Sequence, residues 1–354
     1  MKEDLLKDYH DLGHIDMIMI HGDLVDRAVP YHSEDAQKIA GFITWLIQLA
    51  IHKNTYLRLL EGTQRHDWKQ TAILTEIFNS LKTPDVKPNL CKYFDGAQIE
   101  FIDDLGISVL YLQDEYGDGP EHAWSDIQHL LEANNLEKVT IGSMHGQFAY
   151  QLPDHVDAPV HDVKRYNSIV ECVLFCGHVH TRSTRGLIEV PGSYDVVAHG
   201  EEEPKGHLRT RILVDGTTTT TFIENTKKWI YKTIDVRGLD VYSAVEKLRS
   251  SVLVDGEPAP PGSCYRIFCD QDDSNHYKIS EITRNWSHYN WKVEAPDRVQ
   301  KKNAESYKDK LNSIYTNTSI TPSTVVSLVN NLMLEKGHDS DTIDKVIGVI
   351  NEFK

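Results

Sequence analysis

The chain has 354 residues, 40% of them hydrophobic and 25% charged, with a formal net charge of −16. That length supports one large core plus an appended module, and the composition is that of an ordinary globular chain rather than a fibrous or disordered one. No apolar run approaches the roughly 18 residues of a membrane span, Met1 leads into a polar segment unlike a secretory signal, and five irregularly spaced cysteines exclude a disulfide framework, so the chain reads as cytoplasmic.

In chain order, "IDMIMIHGD" (Ile15 to Asp23) is an apolar run ending in Gly-Asp, as a buried strand would. Helix spacing follows, with Ile39, Phe42, Ile43, Leu46 and Leu49 on one stripe. "TYLRLLEGT" predicts another strand ending in glycine, and "KQTAILTEIFNSL" another helix. Two extended segments flank Leu105-Gly106, and "AWSDIQHLLEANN" returns to helix. "KVTIGSMHG" and "IVECVLFCGHVH" repeat the pattern of apolar strand, glycine, polar residue, with Cys172 and Cys176 read as small core residues. Such alternation predicts an α/β layered fold.

After Gly192 the character changes. "GHLRTRILVDGTTTTTFIEN" predicts a hairpin with a type I′ turn at Asp215-Gly216. From about Trp229 a smaller α+β unit is expected, with strand "WIYKTIDV", helix "DVYSAVEKLRSS" and strand "CYRIFCD". Past Tyr315, Thr321 and Pro322 open one predicted helix, Gly337 closes it, and a second follows from Ser340 or Asp341; their apolar stripes want a partner. The expected domains are therefore 1–228, 229–315 and a helical hairpin over 316–354.

In open α/β sheets the strand ends on one edge form the ligand crevice. Asp23, His66, His145, His178 and His180 all follow strands, and together they offer the mixed oxygen and nitrogen ligands that suit manganese, iron or zinc. Two neighbouring cations would each take one imidazole of the His178-x-His180 pair, with Asp23 as the anion between them. Such a pair activates water and clamps the oxygens of an in-line phosphoryl displacement. The acidic net charge speaks against nucleic acid, but cation-holding carboxylates belong to the same count, and Asn225 to Gly238 and Arg298 to Lys302 are locally basic.

The ordered set "GDLVDR" (Gly22 to Arg27), "GTQRHD" (Gly62 to Asp67), "MHGQF" (Met144 to Phe148) and "GHVH" (Gly177 to His180) resembles the strand-end signatures of the calcineurin-like metallophosphoesterases. Within them it looks most like the SbcD-type nuclease subunits of bacterial and phage double-strand-break processing complexes, because "GSYDVVAHGEEEPKGHLRTRIL" resembles the stretch that closes their nuclease core. The resemblance implies a layered metallophosphoesterase β-sandwich flanked by helices, a nuclease core over 1–228, a DNA-binding capping domain over 229–315 and C-terminal helices that dock on an SbcC-like ATPase. It implies two divalent cations, manganese in that group, bridged by Asp23, with His145 and His178 on one and His180 on the other. Thr63 or Gln64 would stand in for the family's metal-binding Asn. His66 would act on the leaving oxygen, oriented by Asp67, while Asp26 and Arg27 brace the loop. DNA exonuclease or endonuclease activity, a homodimer, and a bacterial or phage-infected cytoplasm are the corresponding expectations.

One family signature, Asp-x-His after a first strand, is missing; "DYH" at Asp8 to His10 matches its letters but lacks the strand. Its absence leaves one cation with only Asp23 and His180, and should expose a sheet edge. Two explanations compete, a start at an internal methionine, which the otherwise intact site favours, and a subunit that has lost catalysis. Two other functions remain open: a phosphoesterase acting on small phosphoesters or phosphoproteins, and a noncatalytic scaffold that binds DNA and the ATPase.

Overall fold

The computed structural model describes residues 14–294 except 114–116, 153–155, 157, 202, 255, 271–278 and 280–282, together with a few isolated positions between 329 and 347. The Asp8 to His10 match, the basic stretch from Arg298 and all but those few positions of the predicted C-terminal hairpin lie outside the described residues.

Strands β1 (Met17–His21), β2 (Tyr56–Leu60) and β3 (Cys91–Phe94) form one parallel sheet in that order. The second sheet has β4 (Ala97–Ile102), β5 (Ile107–Leu112), β6 (Val139–Gly146) and β7 (Val170–His178), followed by β9 (Ile188–Val190) and, at its edge, β8 (Ser183–Arg185). Its centre, β5 to β7, is parallel. The crossovers are helical: α1 (Glu34–Lys53), the short α2 (Gln64–Asp67), α3 (Ile73–Leu81), α4 (Pro120–Ala133) and α5 (Val163–Ser168).

Local chemistry sets these limits. Ser33 caps α1 by accepting the Ala36 N–H, Glu34 and Asp35 complement the helix start, and Asn54 ends it in the left-handed conformation. Period-two alternation then separates the faces. Val109 and Tyr111 of β5 join a core shared by both sheets, α1 and α3, whereas Leu110 and Leu112 join a second core under α4 and α5. The result is a mixed α/β molecule with two main cores, one involving α1 and α3 and the other α4 and α5.

Strand β1 pairs with β2 alone among the described strands, so its other edge is open. Across a cleft from that edge stands the hairpin of β10 (Gly206–Ile212) and β11 (Thr218–Glu224). Its turn differs from the sequence expectation. Type I′ needs positive φ at both central residues, but Gly216 has φ +83° and Asp215 is not left-handed. Instead Gly216 N–H donates to Leu213 O and Leu213 N–H to Thr217 O, a three-residue loop that ends on the glycine.

The smaller unit has its own core, in which Ile234, Leu248, Tyr265 and Ile267 pack together. It comprises β12 (Tyr231–Asp235), α6 (Val241–Ser251) capped by Asp240, a two-stranded ribbon of β13 (Leu253–Val254) and β14 (Glu257–Pro258), and β15 (Cys264–Phe268) and β16 (Asn290–Glu294). Its main sheet, β12-β15-β16, is parallel.

Candidate metal centre

The ends of four strands from the two sheets meet at one place. Asp23 follows β1, Thr63 follows β2, His145 lies near the end of β6 and His178 is the last residue of β7. Glycines permit the close approach. A Cβ on Gly62 would lie 2.2 Å from the Asp23 nitrogen, and one on Gly177 would lie 2.0 Å from the His21 carbonyl oxygen. Two of the converging side chains sit on left-handed backbone, Asp23 at φ +50° and His178 at φ +89°, conformations that cost non-glycine residues about 1–3 kcal/mol each and cluster at functional sites.

Asp23, His145 and His178 each offer a ligand atom, all within 4.8 Å of one another. Thr63 Oγ1 lies 3.3 Å from Asp23 Oδ2, from His145 Nε2 and from His178 Nδ1, while its N–H donates to Asp23 Oδ1 at 2.7 Å. The proton on His145 is fixed by its other nitrogen. Nδ1 stands 2.6 Å from the His21 carbonyl, which can only accept, so Nδ1 carries the hydrogen. In a neutral ring Nε2 is then an acceptor, yet it faces Asp23 Oδ2 at 3.1 Å. Two acceptors at that separation, His145 buried and Asp23 half-buried, call for a second ring proton or a cation. Ligand atoms held at about 2.1 Å around an octahedral cation stand roughly 3 Å apart, so the cluster fits one.

Without a cation, the second ring proton is the alternative: burial alone would push the Asp23 carboxyl up, but a doubly protonated His145 ring donating to it, with bonds from His66 and the Thr63 N–H, holds it well below the usual carboxylate range. His21, which sequence reasoning missed, is half-buried beside the cluster, bonded through Nδ1 to Ser143 Oγ at 2.8 Å and stacked on Phe175. Burial, reinforced by His145, lowers its pKa to about 3, so it is a neutral imidazole. The only sequence cue was its place just before Gly22.

His66 comes to the site as anticipated, with Nδ1 2.8 Å from Asp23 Oδ2 and its ring about one third exposed. Asp67 does not orient it. The Asp67 carboxylate is fully buried and accepts the backbone N–H groups of Gly62 at 2.9 Å, Asp23 at 3.0 Å and Val25 at 3.2 Å. It ties the β1 and β2 loops together, turned about 100° from His66 as the next residue on α2; burial raises its pKa to about 6. The bracing role expected of Asp26 and Arg27 falls instead to Asp67 and to Gln70, whose side chain binds both backbone groups of Val29. Asp26 and Arg27 are exposed, as is Gln64, which stays outside the cluster, so Thr63 is the residue that occupies the oxygen position.

His180 stands apart from the Asp23 cluster. Its Nδ1 lies 2.7 Å from Glu201 Oε1, and it lines the same cleft as Asp23, His66 and His178. That cleft, about 1900 Å³, runs along the open edge of β1 and across to β10. The basic segment after β11 is partly self-neutralised, with Lys228 paired to Glu224 and Arg237 to Asp235. No helix among the described residues is long and apolar enough to cross a membrane.

Compared with known proteins, the chain matches no protein-family model and no curated protein.

Proposed function

We propose that the chain is a metal-dependent phosphodiesterase of the calcineurin-like metallophosphoesterase kind, acting on DNA in recombination and break repair as a nuclease subunit. The observation that carries this reading is the convergence of Asp23, Thr63, His145 and His178 from four strand ends, in an arrangement whose acceptors face one another. Bound divalent cations, manganese by the resemblance, would supply Lewis-acid chemistry, activating water and neutralising phosphoryl oxygens.

The chain's own groups have separable tasks. The His21 carbonyl fixes His145 with Nε2 toward Asp23, and Thr63 N–H fixes the Asp23 carboxylate. His66, anchored on Asp23 and open to the cleft, is placed to give a proton to a departing oxygen. DNA, the SbcC-like ATPase, the homodimer and the two-cation stoichiometry rest on the resemblance of the motifs. The isolation of His180 from the cluster favours one second reading, a DNA- and ATPase-binding scaffold that holds a single cation without hydrolysis.

The test is degradation of end-labelled linear duplex DNA with manganese, beside hydrolysis of a small chromogenic phosphodiester, with His178→Ala as control. Manganese-dependent loss of DNA that the variant abolishes is the expected result. Faster cleavage of the small ester than of DNA would move the assignment to a phosphoesterase. Manganese binding without cleavage of either substrate, even with the ATPase present, would select the scaffold.

A further inference from the structure

The segment that follows β9 folds back over His180 and holds it from two sides. Glu201 Oε1 accepts from His180 Nδ1 at 2.7 Å, and Glu201 is fixed in turn by the Val197 N–H at 3.2 Å and by Lys205 Nζ at 3.2 Å. Lys205 is 1% exposed, a rare state for lysine, and its ammonium donates to the His180 carbonyl at 3.0 Å and to Glu203 Oε1 at 2.7 Å. The Ser193 N–H also donates to that carbonyl at 3.0 Å. With three acceptors for three ammonium protons, Lys205 is fully satisfied. Its own backbone is anchored by the Asn225 N–H at 2.7 Å, at the end of β11.

His180 therefore has its main chain gripped by a buried ammonium and one ring nitrogen gripped by a carboxylate. Glu201 and Lys205 do not line the cleft, whereas His180 does. With Nδ1 on the Glu201 side, Nε2 is the nitrogen left for the cleft. A hydrogen bond from Nδ1–H to a carboxylate fixes the tautomer and raises the basicity of Nε2 as a ligand.

We propose that Glu201 and Lys205 are positioning residues that lock His180 in the Nδ1–H tautomer, presenting Nε2 to the cleft as the ligand of a cation separate from the one at Asp23, His145 and His178. The cation part rests on the function proposed above; the tautomer part stands without it. Opposing charges explain the pair. Burial works against ionised Glu201, but the His180 bond, the Val197 N–H and Lys205 keep its carboxyl below the usual range.

The experiment has two arms. In the first, nitrogen-15 NMR of histidine-labelled metal-free protein reads the His180 tautomer, with His180→Gln assigning the signal. The wild type is expected in the Nδ1–H form, Glu201→Ala as a tautomer mixture, and Glu201→Gln, which still offers an acceptor, close to wild type. In the second, calorimetric titration with Mn²⁺ is expected to show the weaker site of Glu201→Ala losing about 10–100-fold in affinity with the tighter site unchanged. Lys205→Met provides an independent variant for both arms, with circular dichroism as the check that it folds. An Nε2–H wild type, or a tautomer and weaker-site affinity unmoved in Glu201→Ala, would overturn the proposal. A wild type that binds no Mn²⁺ would defeat the metal-dependent function and the ligand role together, while the NMR arm would still decide the tautomer lock.

Discussion

Two polar clusters in the same α/β molecule, one buried and one half-buried at the cleft, are built on opposite principles. Between the sheets, Arg58 of β2 donates Nε and Nη2 to the two oxygens of Glu100 on β4 at 2.7 and 2.9 Å, and Nη1 to the Leu57 and Leu90 carbonyls. Lys92 of β3 and the Tyr111 hydroxyl of β5 complete the Glu100 carboxylate at 2.7 and 3.0 Å. Donors and acceptors balance there, and the network pins one sheet to the other. At the strand ends, by contrast, Asp23 Oδ2 and His145 Nε2 bring acceptor against acceptor beside His178 and Thr63, with Asp23 and His178 on left-handed backbone. A balanced network asks nothing of its surroundings. An acceptor-rich cluster asks for a cation, which is why the second reads as a site and the first as architecture.

That contrast can be broken by exchanging the readouts. Removing a ligand with His178→Ala should lower Mn²⁺ affinity by more than the roughly 100-fold that loss of a supporting residue costs, and abolish any hydrolysis. The metal-free protein should unfold at nearly the wild-type denaturant concentration. Glu100→Ala should do the reverse. It leaves a buried guanidinium unpaired, a loss of about 3–5 kcal/mol, while Mn²⁺ affinity of the folded protein stays at the wild-type value. Equal effects of both variants on both measurements would erase the distinction. A smaller loss is expected of Gly177→Ala, whose methyl meets the His21 carbonyl at 2.0 Å. Forcing β1 and β7 apart should cost about 1–3 kcal/mol and weaken Mn²⁺ binding as well, because this one position serves both the packing and the site.

The two clusters also differ in how far the sequence announced them. Asp23, His66, His145 and His178 were legible because each lies at or shortly after the end of an apolar strand, and strand ends share one edge of an α/β layer. Most helices and strands were legible from the 3.6 and 2.0 periods. Arg58 and Glu100 were not, since "TYLRLLEGT" and "AQIEFIDD" give no sign that two charges 42 residues apart will meet between sheets. Asp67 was given the wrong task for a related reason. A carboxylate beside a histidine in sequence suggests a dyad, but adjacent residues on a helix point to different faces, and the buried N–H groups of two loops claimed it. The turn at Asp215-Gly216 shows the limit of dipeptide rules, since the pair fits both a two-residue and a three-residue loop and hairpin register decides.

Acid provides the finest separation of the clusters. For Glu100, burial opposes ionisation, but Arg58 and Lys92 outweigh it and hold the carboxyl below its ordinary value of 4.5. The sign follows from that depression. Its contribution to folding is fully present above about pH 4.5 and is lost as pH falls further, through the folded-state value. Urea unfolding of wild type and Glu100→Gln should therefore show a gap that is constant from pH 7 to 5 and closes only in stronger acid. Cation binding obeys a different linkage, because it competes with protons for its ligands at every step of acidification. Manganese affinity should already be falling between pH 7 and 5, where the unfolding gap is flat. If the two curves bent together, Glu100 and the strand-end cluster would be one coupled network rather than two.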